Sequence, residues 1–135
     1  MSSLVIFDTS VIVDHLRTGR YQRLIESTTG LIRFSSVVLA ELWRGATRSE
    51  ERDFLRSLEK NYPILTPTEK NWMESGQVLS KIYREQRLVP GKLRDLHFDV
   101  LIALTARSYG ARLITSNRAD FELISHYRRI QLEIW

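Results

Sequence analysis

The sequence has no cysteine, only three prolines and no long apolar run. Without cysteine, the chain cannot form a disulfide scaffold, a thiolate zinc site, an iron–sulfur cluster or a cysteine nucleophile. No stretch approaches the roughly 18 consecutive apolar residues of a membrane span. The first residues carry no basic leader, so we expect a cytoplasmic protein with no targeting segment and no membrane partner.

The composition is typical of one compact domain. Its 135 residues are 43% hydrophobic and 27% charged, which is enough apolar material for a core but too short for two ordinary domains. We predict a single domain over residues 1–135. Twenty Lys and Arg against 16 Asp and Glu give a net charge of +4. This charge is compatible with a nucleic-acid partner, and also with an ordinary basic domain.

Short apolar runs alternate with amphipathic segments along the chain, which predicts an α/β fold with a mainly parallel sheet. The predicted strands cover residues 4–7, 32–35, 64–65, 113–115 and 132–134. The first predicted helix starts after residue 9, and the others cover residues 21–26, 37–43, 49–60, 69–86 and 98–109. A turn is predicted at Val89-Pro90-Gly91, just before the last of these helices.

Four acidic residues stand at positions where function is often found. Asp8 follows the first predicted strand, and Asp120 lies in the loop after the fourth. Because parallel strands end at the same edge of a sheet, these two acids are expected on one side of it. Asp99 stands at the start of a predicted helix, whose dipole favours an anion. Glu41 is the single acid in an apolar helical run, where burial of a lone carboxylate would be costly.

Each of these acids also has a purely structural explanation. Asp8 could end a strand, and Asp99 could cap a helix. Asp120 could be an ordinary loop acid, and Glu41 could lie on an exposed helix face. If the acids do meet, their mutual repulsion requires cations to neutralise them. With no cysteine and only three histidines, Mg²⁺ or Mn²⁺ would be the natural cofactor.

Four segments taken together resemble the motifs of PIN-domain ribonucleases. They are Val5–Asp14, Glu41–Gly45, Phe98–Ala106 and Leu113–Phe121. Their order and spacing agree with the family pattern, and the likeness runs from residue 4 to about residue 121, nearly the whole chain. Within that family, the size and the wording of the motifs look most like the VapC-type toxins of toxin–antitoxin pairs.

The resemblance implies a three-layer α/β/α sandwich around a parallel sheet of four or five strands. It also implies a Mg²⁺- or Mn²⁺-dependent endoribonuclease that is inhibited by a cognate antitoxin protein and commonly forms a homodimer. Carried over by motif, the catalytic and metal-binding carboxylates are Asp8, Glu41, Asp99 and Asp120. The reaction expected of such a site is hydrolysis of an RNA phosphodiester by a metal-activated water, leaving a 5′-phosphate.

The last motif departs from the pattern of many relatives, which carry an acid where this chain has Asn117. Whether Asn117 or Asp120 completes the site is therefore open. Further candidates for contacts with substrate or with the acids are the hydroxyls and one cation around them: Thr9, Ser10, Thr115 and Arg118. The hydroxyls could equally serve as helix caps and strand ends.

Basic and imidazole side chains offer further roles and one rival mechanism. Arg84, Arg87, Lys92 and Arg94 surround the predicted turn and could guide an RNA backbone or form a solvated helix end. His97, beside Asp99, could serve a metal-free ribonuclease, although such a lone histidine is more often structural. Two other functions fit the resemblance: a PIN-like module that binds RNA or a partner without catalysis, and a PIN nuclease of RNA processing that is not a toxin.

Overall fold

The computed structural model describes residues 3–135, so the first two residues of the predicted domain lie outside it. Five strands alternate with seven helices along this part of the chain. The strands are β1 (Leu4–Phe7), β2 (Leu31–Ser35), β3 (Ile64–Leu65), β4 (Arg112–Thr115) and β5 (Gln131–Ile134). The helices are α1 (Thr9–Thr18), α2 (Gln22–Ser27), α3 (Ser36–Gly45), α4 (Ser49–Asn61), α5 (Glu69–Gln86), α6 (Pro90–Ser108) and α7 (Arg118–Tyr127).

All five strands join one parallel sheet in the order β3-β2-β1-β4-β5. In the central strand, Ile6 pairs with Arg33 of β2 on one side and with Leu113 of β4 on the other. The predicted parallel sheet is confirmed, and it has five strands. Its order reverses at β1, because the chain leaves β1 for β2 on one side and later returns to β4 on the other.

The two faces of the sheet are covered by different helices, as the alternation of side chains along a strand requires. Val5, Phe7 and Ile114 are buried with residues of α1 and with Tyr21, which precedes α2. Ile6 and Leu113 point the other way and pack in the main core with α5, α6 and α7. The predicted three-layer α/β/α sandwich is therefore confirmed.

The prediction for α6 was wrong at its start. The helix begins at Pro90, eight residues before the predicted position, and Val89 is the extended residue that precedes it. Proline is well suited to the first position of a helix because its missing N–H has no partner there, so the Pro-Gly pair opens the helix instead of forming a turn. Although α6 has 19 residues, neither it nor any other helix within residues 3–135 is long and apolar enough to cross a membrane.

Two of the site predictions change as a result. Asp99 lies in the middle of α6 and not at its N-terminus, so the helix dipole does not explain its position. Asp120 lies in the first turn of α7, a helix that we did not predict, and not in a loop. The side chain of Asn117 caps α7 by accepting a hydrogen bond from the backbone N–H of Asp120.

Candidate active site

The predicted acids surround the point where the strand order of the sheet reverses. Asp8 follows β1 directly, and its backbone N–H still donates to the carbonyl of Ile114 in β4 at 2.8 Å. The chain after β4 runs past Asn117 into α7, which brings Asp120 to the same edge. In open α/β sheets, this edge at the carboxyl ends of the strands is where ligands bind.

Asp8 is the most deeply buried of the four acids, with 3% of its surface exposed. Two hydroxyls donate to its Oδ2 atom, Ser10 Oγ at 2.7 Å and Thr115 Oγ1 at 2.9 Å. Burial raises the pKa of Asp8 above its usual range, and these hydroxyl donors oppose the shift. The position of this carboxylate is therefore fixed from both β1 and β4.

Glu41 reaches the site from α3, whose N-terminus is capped by the buried hydroxyl of Ser35. Thr9 Oγ1 donates to Glu41 Oε1 at 2.7 Å, which ties α3 to the first residue of α1. Burial raises the pKa of Glu41, and the negative charge of Asp8 adds to the shift, whereas Thr9 and Arg44 oppose it. Glu41 thus lies in a partly desolvated region where the charge of Asp8 acts on it.

Asp99 has the most strongly perturbed carboxyl group of the site, with its pKa raised to about 8. Burial is the largest cause, followed by the negative charges of Asp8, Glu41 and Asp120. Asp99 therefore lies within electrostatic range of all three other predicted acids. Such repulsion is characteristic of carboxylates that are arranged to hold a cation.

Asp120 is held by two side chains. Lys92 lies 2.8 Å from Oδ1 and 2.9 Å from Oδ2, and Asn117 Nδ2 donates to Oδ2 at 3.0 Å. The hydrogen bond to Asp120 is the main reason why the pKa of Lys92 is raised. Asn117 therefore contacts the side chain of Asp120 while it caps α7, and a role for Asp120 as the fourth carboxylate of the site stays a prediction.

The other predicted contact residues divide into two groups. Thr9, Ser10 and Thr115 bond to the carboxylates of Glu41 and Asp8, so the structure gives each hydroxyl a partner at the site. Arg118 differs from them, because its guanidinium pairs with Glu122 at 2.7 Å on the exposed side of α7. A role for Arg118 in substrate binding stays a prediction.

The histidine that offered a rival mechanism is engaged elsewhere. His97 Nε2 lies 3.2 Å from the buried hydroxyl of Ser75, and its ring packs edge-on against Trp72. Both partners belong to α5, so these contacts join α5 to α6. The geometry favours a packing role for His97.

The donor set fits a hard divalent cation, since it consists of carboxylate oxygens on one edge of the sheet. Within residues 3–135, no three His, Cys, Asp or Glu side chains converge closely enough to hold an ion as they are placed. As placed, the carboxylates of Asp8 and Glu41 bond to hydroxyls, and that of Asp120 bonds to Lys92. Side-chain rotations would be needed before three of the carboxylates could hold one ion.

Lys92 is the site residue whose place the sequence analysis missed, because it was grouped with the cations of a predicted turn. With α6 starting at Pro90, Lys92 lies seven residues, or about two helical turns, before Asp99 and so on the same face of the helix. That spacing would have identified Lys92 if the start of α6 had been placed correctly.

Comparison with known proteins identifies the class of this fold and site. The model of the PIN domain family matches residues 5–127, so this chain belongs to the PIN domain family. This family consists of nucleases, which places the chain among hydrolases that act on nucleic acid. None of the curated proteins compared with the sequence matches it.

Several solved structures share the whole fold. A DNA-bound VapBC complex from Salmonella typhimurium contains a chain with 23% identity and a TM-score of 0.72, covering 100% of this chain and 99% of that one. VapBC-1 from nontypeable Haemophilus influenzae is 21% identical with a TM-score of 0.73, covering 98% of both chains. VapBC2 from Rickettsia felis, bound to a DNA fragment from its promoter, is 22% identical with a TM-score of 0.71, again over 98% of both chains. At these identities, the likeness shows a shared fold.

Proposed function

We propose that this protein is a Mg²⁺- or Mn²⁺-dependent endoribonuclease and the toxin of a toxin–antitoxin pair, acting in the cytoplasm as a homodimer. The observation that carries the proposal is the carboxyl group of Asp99, whose pKa is raised to about 8 by burial and by three further acids. Four carboxylates in one partly buried region are costly to the fold unless a cation neutralises them. Belonging to a nuclease family supports the same reading.

Asp8, Glu41, Asp99 and Asp120 are the residues that would hold the cation. When bound, a divalent cation makes water more acidic and neutralises charge on a phosphodiester. Ser10 and Thr115 keep Asp8 oriented, and Thr9 does the same for Glu41. These hydroxyls therefore limit how far Asp8 and Glu41 can turn when they bind a cation.

The proposal predicts RNA cleavage that requires Mg²⁺ or Mn²⁺ and is lost in EDTA. Asp8→Asn should lower the cleavage rate at least about a hundredfold, because a neutral amide binds a hard cation poorly. The measurement is cleavage of total RNA by the purified protein, with the 5′ ends of the products analysed for phosphate. Asp53→Asn is the matched control, since Asp53 is exposed and pairs with Arg56 on α4.

Other outcomes of this experiment would support other functions. Cleavage that persists in EDTA, or in Asp8→Asn, would contradict the metal mechanism and favour a histidine mechanism. A folded protein that binds RNA but cleaves none would favour a binding module without catalysis. Cleavage of RNA that no antitoxin inhibits would indicate a PIN nuclease of RNA processing.

An apolar groove beside the site is the proposed place of antitoxin binding. It has a volume of about 680 Å³ and begins at Thr9 and Glu41. Its apolar lining comes from α1, α3 and α4 and includes Leu16 and Phe54, of which 57% and 36% are exposed. Charged groups of both signs, including Arg17 and Glu50, also line the groove. Such a groove suits an amphipathic segment whose polar end can reach the carboxylates.

Phe54→Asp should weaken binding of the cognate antitoxin roughly thirtyfold or more, because a buried aromatic anchor contributes about 2 kcal/mol and a charge would replace it. RNA cleavage by the free variant should be unchanged, while inhibition by the antitoxin should be lost. Calorimetric titration and an inhibition assay measure the two effects. Leu24→Asp on α2 is the control, since Leu24 is 43% exposed and lies outside the groove. Equal weakening in both variants would contradict this location.

A further inference from the structure

Within residues 3–135, two of the four site acids form an ion pair, Glu41 with Arg44 and Asp120 with Lys92. Only the pair of Lys92 with Asp120 is shorter than 3 Å. The ammonium of Lys92 contacts both oxygens of Asp120, at 2.8 and 2.9 Å. The pair is partly shielded from water, because the side chain of Lys92 is 40% exposed and that of Asp120 is 17% exposed. An ammonium held by both oxygens occupies the positions from which a carboxylate would bind a metal ion.

The position of Lys92 is also set by a helix and not by a loop. Lys92 lies in the first turn of α6, two helical turns before Asp99 on the same helix face. The charges of Asp99 and Asp95 act on it in addition to that of Asp120. Lys92 therefore partly neutralises the acidic site with a charge that the fold itself supplies.

We propose that Lys92 competes with the divalent cation for Asp120, so that the cation must displace its ammonium from at least one carboxylate oxygen. The proposal rests on the function proposed above and adds a regulating residue to that site. Two effects act together. The cation must break an existing charge-assisted hydrogen bond, and it must approach a fixed positive charge. Both effects lower the affinity of the site for the cation, so Lys92 raises the concentration at which the enzyme becomes loaded.

The test measures Mn²⁺ binding to the whole chain without RNA, by calorimetric titration of wild type, Lys92→Gln and Lys81→Gln. Lys92→Gln should bind Mn²⁺ more tightly, roughly two- to tenfold, as expected for loss of a partly exposed ion pair and of charge repulsion. Lys81→Gln removes the same charge from the exposed face of α5 and should leave the Mn²⁺ affinity within twofold of wild type. Circular dichroism establishes that all three proteins are folded.

Each outcome bears on the proposal. Tighter binding by Lys92→Gln alone supports it, as does binding by this variant when wild type shows none. Unchanged or weaker binding by Lys92→Gln overturns it, because Lys92 would then be neutral toward the cation or would orient Asp120 for it. No Mn²⁺ binding by any of the proteins overturns it as well. Cleavage of RNA is assayed separately, so a failure of the nuclease function is distinguished from a failure of this competition.

Discussion

Asp99→Asn should abolish RNA cleavage and at the same time make the metal-free protein more stable. Asp99 is the carboxyl group on which all three other acids act, so its loss removes both a proposed cation ligand and a source of repulsion. We expect the cleavage rate to fall about a thousandfold or more, equivalent to roughly 4 kcal/mol of transition-state stabilisation. The full shift of the pKa from 3.8 to about 8 would correspond to roughly 5 kcal/mol at pH 8. Because Asp99 is only partly buried and solvent screens its charge, we expect the free energy of unfolding to rise by about 2 kcal/mol.

The sign of this stability effect follows from the raised pKa. In the folded protein the pKa of Asp99 is about 8, against 3.8 for the free side chain, so between these values the folded state binds more protons than the unfolded state. Stability from a protonated Asp99 is therefore present below about pH 4 and is lost as the pH rises towards 8. Asn carries no charge at any pH, so the advantage of the variant should grow over this window.

Thermal unfolding between pH 5 and pH 9, with and without Mg²⁺, measures both parts of this prediction. In EDTA at pH 8, the variant should unfold about 5–10 °C above wild type. Added Mg²⁺ should raise the melting temperature of wild type much more than that of Asp99→Asn, because only wild type keeps the full set of carboxylates. Asp53→Asn, at an exposed position of α4, should change neither property. A variant that is less stable than wild type at pH 8 would refute the repulsion argument.

The pattern of the sequence was sufficient to predict the parallel sheet, and the resemblance to PIN-domain ribonucleases implied the three layers of the fold. Short apolar runs such as 4–7 and 113–115 are bounded by polar residues, and their alternation with helices allows few topologies besides a parallel sheet. Asp8 could be placed for the same reason, because it follows a central strand directly. A residue next to a strand end has its position fixed by the hydrogen bonds of the sheet.

The start of α6 and the contact of Lys92 with Asp120 could not be predicted from the sequence. Pro90-Gly91 is compatible both with a turn and with the first residues of a helix, and only the packing of α6 against α5 decides between them. Because of this ambiguity, the sequence analysis placed Asp99 at the start of a helix, whereas it lies in the middle of α6. The pairing of Lys92 with Asp120 joins residues that are 28 positions apart in sequence and lie in different helices, and no periodicity within either helix specifies such a contact.

Thr115→Val should destabilise the protein by about 2–3 kcal/mol, a large effect for the loss of one hydroxyl. Thr115 is fully buried, and its Oγ1 donates to Asp8 Oδ2 at 2.9 Å while accepting from the backbone N–H of Asn117 at 3.0 Å. Valine has nearly the same shape, so the packing is kept while a buried carboxylate loses a donor. Hydrogen bonds to charged groups contribute about 1.5–3 kcal/mol. Urea unfolding at pH 7 in EDTA measures the change.

Thr105→Val provides a control with the same chemical change and the same burial. Thr105 is also fully buried, but its hydroxyl donates to the carbonyl of Leu101 within α6 at 2.7 Å. That carbonyl is neutral and also accepts in the helical ladder, so its loss should cost less than about 1 kcal/mol. If Thr105→Val costs as much as Thr115→Val, the charge of Asp8 is not the source of the effect.

A double-mutant cycle separates the charge of Asp8 from every other contact of Thr115. In the Asp8→Asn background the side chain facing Thr115 is neutral, and we expect Thr115→Val to cost only about 1 kcal/mol there, the contribution of the bond to the N–H of Asn117. The difference between the two backgrounds measures how strongly β4 stabilises an ionised Asp8. Equal costs in both backgrounds would show that Asp8 is protonated in the metal-free protein at pH 7. The carboxylate would then ionise only when a cation enters, and the hydroxyls of Ser10 and Thr115 would orient it without stabilising its charge beforehand.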